Sequence, residues 1–299
     1  MFSTLPDHVK GLLLAAVGGL TLTVDIPFLR LANGEAWSVM LTRSIIVVAV
    51  TVLVVAGMRM AGQGSRRIIP GVHGWIVAAL YGLSTVTFMI AVFNTTTANL
   101  VFILAFNPMF AALLSWIFMG ERPKGVTLIA MILMTIGVFI IVEEGLGTAN
   151  LLGDLMSLAA CFSIAAAIVI TRASGKDMSF APMVGAALPA LVGGLVVAQQ
   201  GYAVEQPWWL LVNGLIIFPV SFIGLAAAPR FIPGAEVAMF YLLETVLAPV
   251  WVWMIFAEIP TQQSAIGGTI LIATLLVHSM WQLHSGRKRK AVTIPRHPT

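Results

Sequence analysis

The chain has 299 residues, 59% of them hydrophobic and only 9% charged, with a formal net charge of +4. Soluble domains carry about 25% charged residues, so too little polar sequence remains here to build one. The Lys and Arg residues are scattered over short loops, which points to a lipid bilayer as the partner and away from nucleic acid.

Ten apolar stretches follow one another, at 11–30, 36–57, 72–93, 97–119, 125–143, 151–171, 181–199, 208–228, 235–257 and 262–283. About 20 apolar residues in a helix span the hydrocarbon core, and each stretch must be helical because an unpaired backbone amide in hydrocarbon is costly. The first stretch carries Gly18, Gly19, Asp25 and Pro27; the second carries Arg43; the third carries Tyr81 and Phe88. Asn99, Phe106, Asn107 and Pro108 lie in the fourth. The sixth opens Gly153-Asp154-Leu155 and holds the only cysteine, Cys161, so no disulfide framework exists. Pro189 and Pro219 fall in the seventh and eighth, and Glu236, Tyr241, Glu244 and Pro249 in the ninth. The first stretch is too long for a removable signal peptide and lacks its cleavage site.

Orientation follows from the basic residues, which favour cytoplasmic loops. With a cytoplasmic N-terminus, that side holds Lys10, Arg59, Arg66, Arg67, Arg122, Lys124, Arg172, Lys176, Arg230 and the five basic residues of the tail 284–299. The other side holds Arg30 alone, and Arg43 lies within a span. Ten spans with both termini cytoplasmic are therefore expected, and the basic run 287–290 reads as a headgroup anchor.

An internal repeat is also present. Asn107-Pro108 and Trp116-Ile117-Phe118-Met119-Gly120-Glu121-Arg122-Pro123 recur 137 residues later as Glu244-Thr245 and Trp253-Met254-Ile255-Phe256-Ala257-Glu258-Ile259-Pro260. A unit of five helices ends on the far side from its start, so its second copy is inverted. The fold expected is all-α: ten transmembrane helices in two inverted five-helix repeats, 11–143 and 151–283. Inverted repeats of this kind place a binding site near mid-membrane between the halves of secondary transporters.

Five plus five helices, Arg43 inside the second span, Pro108 and Glu121 ending the fourth, and Gly153-Asp154-Leu155 opening the sixth resemble the EamA-type drug/metabolite transporter family. Within it the chain is most similar to the bacterial YddG-type exporters of aromatic amino acids. The second repeat departs from the first in having Thr245 where Pro108 stands, with Pro249 four residues on. The resemblance implies an exporter of small metabolites in the bacterial inner membrane, without an ATP-driven motor or other cofactor.

Ionisable residues within spans are costly and thus functional candidates. Asp25 and Arg43 lie at comparable depth on consecutive spans, one or two turns from the outer surface, and are expected to pair as a structural tie, a gate or a substrate-carboxylate contact. Glu236 and Glu244, eight residues apart, fall broadly on one helix face. Their repeat mates Asn99 and Asn107 share that spacing. The four form candidate substrate-binding stripes for an amino or amide group, with a helix–helix hydrogen-bond network as the alternative. Glu244 is also a candidate proton carrier. Tyr81, Phe88, Phe106 and Tyr241 are candidates to line a cavity for a flat apolar ligand. Gly18, Gly19, Pro27, Pro108 and Pro249 are candidate hinges. Glu121 and Glu258 read as local features of tight turns.

No enzyme is indicated: His-Glu-x-x-His, Gly-x-Ser-Gly and Walker sequences are lacking, and no span holds a central Lys for a Schiff base. No catalytic residue, metal site or cofactor is expected, and a monomer suffices. The function expected is export of aromatic or other hydrophobic amino acids by alternating access, with multidrug or quaternary-cation export, or a channel, as alternatives.

Overall fold

A computed structural model of the chain describes residues 7–61, 68–120, 122–123, 125–145, 150–176, 178, 180–228 and 234–292. Its helices, in chain order, are α1 (Asp7–Leu22), α2 (Asp25–Leu31), α3 (Ala36–Met60), α4 (Gly71–Asn94), α5 (Thr97–Leu104), α6 (Asn107–Met119) and α7 (Gly125–Gly145). They continue with α8 (Leu151–Ser174), α9 (Ala181–Gly185), α10 (Ala187–Gln200), α11 (Pro207–Val212), a π-helical turn (Asn213–Ile217), α12 (Phe218–Ala227), α13 (Gly234–Phe256) and α14 (Gln262–Val292).

Eight helical segments among the described residues are long and apolar enough to cross a membrane: His8–Leu31, Ala36–Met60, Gly71–Asn94, Thr97–Met119, Gly125–Glu143, Leu151–Thr171, Ala181–Gln200 and Pro207–Leu225. The region of the expected ninth span contributes a shorter apolar helix, Leu243–Phe256, and α14 runs through the tenth. This is a multi-pass, all-helical membrane protein. α14 continues to Val292, so the basic run 287–290 lies on a helix.

Proline sets where the spans break. Pro27 has no N–H to give the Thr23 carbonyl, and the first span is interrupted at Thr23–Val24. Pro108 leaves the Leu104 carbonyl open, and α5 ends at Leu104, directly before the turn Ala105-Phe106. The Cys161 thiol points to that carbonyl at 3.7 Å. Pro189 acts likewise on Gly185, at the junction of α9 and α10. Ahead of Pro219 the ladder widens into the π turn, where the Phe218 N–H reaches back to the Asn213 carbonyl. Pro249 sits inside an unbroken α13, and Gly18-Gly19 lie within a continuous α1.

Those two glycines are contact points. A Cβ on Gly19 would stand 2.7 Å from the Phe240 carbonyl, and one on Gly18 would stand 3.0 Å from the Ser221 carbonyl. Small residues allow helices to approach this closely in a membrane, where dispersion rather than the hydrophobic effect drives association. Gly82 meets Gly185, and Gly137 meets Gly267, in the same manner.

Packing divides the helices into two groups. In one, α4, α5 and α6 lie against α8; in the other, α1 lies against α12 and α13. α5 also packs on α13 and so links the two groups, while α3 pairs with α10 and α7 with α14. Outward-facing side chains are large and apolar, among them Leu53, Ile117, Phe118 and Phe139, as a surface bathed in lipid requires.

A Cβ at position 267 would stand 2.7 Å from the Gly137 carbonyl. Gly267→Ala is therefore expected to destabilise by about 1–3 kcal/mol through overpacking, read as a lower melting temperature in detergent. Gly57→Ala meets open space and should leave the melting temperature unchanged or raised.

Candidate functional site

The break at Thr23–Val24 lets α2 begin with Asp25 pointing into the bundle. Arg43, from α3, donates through Nη2 to both Asp25 oxygens at 3.0 and 3.1 Å. Both side chains are buried, at 2% and 3% exposure. The guanidinium also lies 4.9 Å from the Phe218 ring centroid and directs Nη1 at the Met89 sulfur, 3.6 Å away. Asn213, at the start of the π turn, donates to Asp25 Oδ1 at 2.9 Å and to the Asp25 carbonyl at 3.3 Å. Asn213 is not among the residues that the sequence singles out; a lone amide near the start of an apolar span is the available signal.

Two atoms of this cluster, Arg43 Nε and Asn213 Oδ1, are buried without a hydrogen-bond partner among the described residues. Glu244, partly buried on α13, lies within electrostatic reach of both Asp25 and Arg43. The cluster thus holds two carboxyl groups against one guanidinium. A second tie runs from α13 to the break: Trp251 Nε1 donates to Thr23 Oγ1 at 3.1 Å.

An aromatic row leads away from the cluster. Phe218 and Phe222 have centroids 4.2 Å apart, and Tyr81 meets Phe222 edge-on at 6.5 Å. Phe106 stacks edge-on with Phe110 at 4.9 Å, and Phe88 packs on the main core. The side chains of Glu236 and Tyr241 lie outside the described residues, as does Glu121. An apolar groove of about 530 Å³ between α3, α4 and α9 includes Arg59 and Trp75 but shares no lining residue with the polar cluster.

Asn99 and Asn107 are engaged elsewhere. Asn99 donates to the buried Asp154 at 3.3 and 3.4 Å and accepts from Ser264 Oγ. Thr95 Oγ1 donates to the same carboxyl at 2.6 Å. Asn107 donates to the Cys161 carbonyl at 3.0 Å. The polar stripe expected along the fourth span therefore serves as interhelical bonding, because neighbouring helices offer carboxyl and carbonyl acceptors at those positions. Glu258 also differs from its expected local role: it receives Arg30 Nη1 and the Thr97 N–H, the latter at 2.7 Å.

Residues 9–143 match the EamA-like transporter family. This part of the chain is similar to that family. It is a family of transporters, not of enzymes. The uncharacterized transporter YdfC of Bacillus subtilis (strain 168) is 26% identical over 173 residues, a match that spans 55% of this chain and 56% of that protein. The chain thus covers about half the length of the curated relative it matches. One solved crystal structure superposes with a TM-score of 0.60 at 17% identity, covering 89% of this chain and 97% of the other; the likeness is one of fold. The EamA-like segment contains Asp25, Arg30, Arg43, Asn99 and Asn107, whereas Asn213, Glu244 and Glu258 come from outside it.

Removing one member of a buried ion pair leaves its partner charged in a low dielectric, at a cost of about 3–5 kcal/mol. Arg43→Met is expected to lower the melting temperature in detergent sharply. Asp25→Leu combined with Arg43→Met should cost less than Arg43→Met alone, because no orphaned charge remains.

Proposed function

We propose that the chain is a secondary transporter exporting small metabolites, chiefly aromatic or other hydrophobic amino acids, by alternating access. The reading includes ten spans in two inverted repeats, both termini cytoplasmic, in a bacterial inner membrane. The family match of residues 9–143 supports transport. The packing supports the repeats. Exchanging each expected span with the one five places on turns α4 on α8 into α12 on α1, and leaves α3 on α10 and α7 on α14 as they are.

The observation that carries the substrate reading is Glu244 beside the Asp25–Arg43 pair. Asp25 and Arg43 are engaged with each other, which leaves Glu244 as the carboxyl group open to a substrate amine. The row Phe218–Phe222–Tyr81 supports a flat apolar side chain next to it. Arg43, with its Nε unengaged among the described residues, is the cation that would receive an amino acid's carboxylate. The carboxyl excess also favours a second reading, export of quaternary or other organic cations, which need no such partner.

Proteoliposomes loaded with labelled tryptophan or phenylalanine, or with a cationic dye, separate the two. Saturable flux of the amino acids with counterflow is expected, and Glu244→Gln should reduce it at least tenfold while the protein keeps its melting temperature. Dye flux without amino acid flux selects the second reading. Unsaturable flux rejects a carrier altogether, and full activity in Glu244→Gln removes that residue from the site.

A further inference from the structure

The connection between α4 and α5 is gripped by two charged side chains from the other packing group. Arg30, on α2, sends Nη2 to the carbonyls of Val92 and Thr95 at 3.2 and 3.1 Å, and Nη1 to Glu258. Glu258, just beyond α13, accepts the Thr97 N–H at 2.7 Å through its other oxygen. The carbonyls belong to the end of α4 and the N–H to the start of α5, where helices leave backbone groups without internal partners. Arg30 and Glu258 therefore pair with each other and satisfy both ends of the junction with charge-assisted bonds. Their side chains are 18% and 24% exposed, so water can replace each bond when the grip is released.

We propose that Arg30 and Glu258 form a clasp that closes this end of the transport path, and that α2 is the hinged piece bearing it. α2 is cut from α1 at Thr23–Val24. On its other side the chain is pinned by the Gly34–Val204 bridge and the Glu35 N–H bond to the Ala203 carbonyl at 2.9 Å. Asp25 and Arg30 sit five residues apart on this short rigid helix, about 7.5 Å of rise. A displacement of Asp25 in the polar cluster thus moves Arg30 as well, and occupancy of the cluster is coupled to the clasp. Both lobes take part: Arg30 and Glu258 lie with α1, α2 and α13, and the groups they hold lie with α4 and α5. The proposal rests on the alternating-access reading, but its test needs no substrate.

Two pairs of spin labels on introduced cysteines report the two ends of the bundle. Leu152→Cys with Trp208→Cys reports the clasped end, and Val9→Cys with Arg122→Cys reports the other; all four positions are exposed, whereas native Cys161 is buried. Pulsed distance measurements on the purified chain in lipid nanodiscs are made with the clasp intact, in Glu258→Gln, and in Arg30→Lys. The lysine keeps the charge but loses the fork that spans two carbonyls and a carboxylate, and it serves where Glu258→Gln does not fold. Releasing the clasp should add a longer-distance population at the 152/208 pair and a shorter one at the 9/122 pair. Unchanged distributions, or widening at 152/208 without narrowing at 9/122, overturn the proposal and leave a static staple. Failure of tryptophan transport alone would count against the substrate reading and leave the distances to decide the clasp.

Discussion

The Arg43–Asp25 ion pair, buried at 3% and 2% exposure among the helices, is the constraint around which the rest is arranged. Either charge alone would be prohibitive there, so the two must meet. Their meeting demands that the first span break where it does. It requires the carboxyl of Asp25 to be held from a third side by Asn213, and it places Phe218 under the guanidinium. It also defines the electrostatics of Glu244, whose neighbours are already a neutral couple.

Rigidity and motion are distributed by two residue types. Glycines at 18, 19, 82, 137, 224 and 267 bring helix backbones together at distances no side chain would allow, which fixes the packed pairs. Prolines at 27, 108, 189 and 219 each free a carbonyl and end or widen a helix nearby. Freed backbone groups at such breaks are tolerated because neighbours serve them, as the Cys161 thiol serves Leu104 and Trp251 serves the Thr23 side chain.

Among the described residues, three polar assemblies stand apart from one another. Asp154 gathers Thr95, Asn99 and, through Asn99, Ser264. Arg30 and Glu258 hold the α4–α5 junction. Asp25, Arg43 and Asn213 make the third, with Glu244 beside them. Each draws on both the EamA-like segment and the remainder of the chain. None of the three is complete within residues 9–143, the segment that matches the EamA-like family.

Composition and hydropathy alone determine that the chain is helical and crosses a membrane repeatedly, since hydrocarbon leaves a long apolar segment no other way to pair its backbone. The motif spacing in the first half likewise carries the family likeness. Depth along a span can also be counted from the sequence, because rise per residue is constant, and this is why Asp25 and Arg43 can be set at one level before any packing is known. What counting along one helix does not contain is rotation about its axis relative to its neighbours. Only the tertiary structure decides that Asn99 turns to Asp154, that Asn107 turns to a carbonyl on α8, and that Asn213 turns to Asp25. The same holds for Glu258, which leaves its own turn to meet a residue 228 positions away. Partner choice in a bundle is a property of interhelical geometry, and that geometry is set by all the glycine and proline contacts at once.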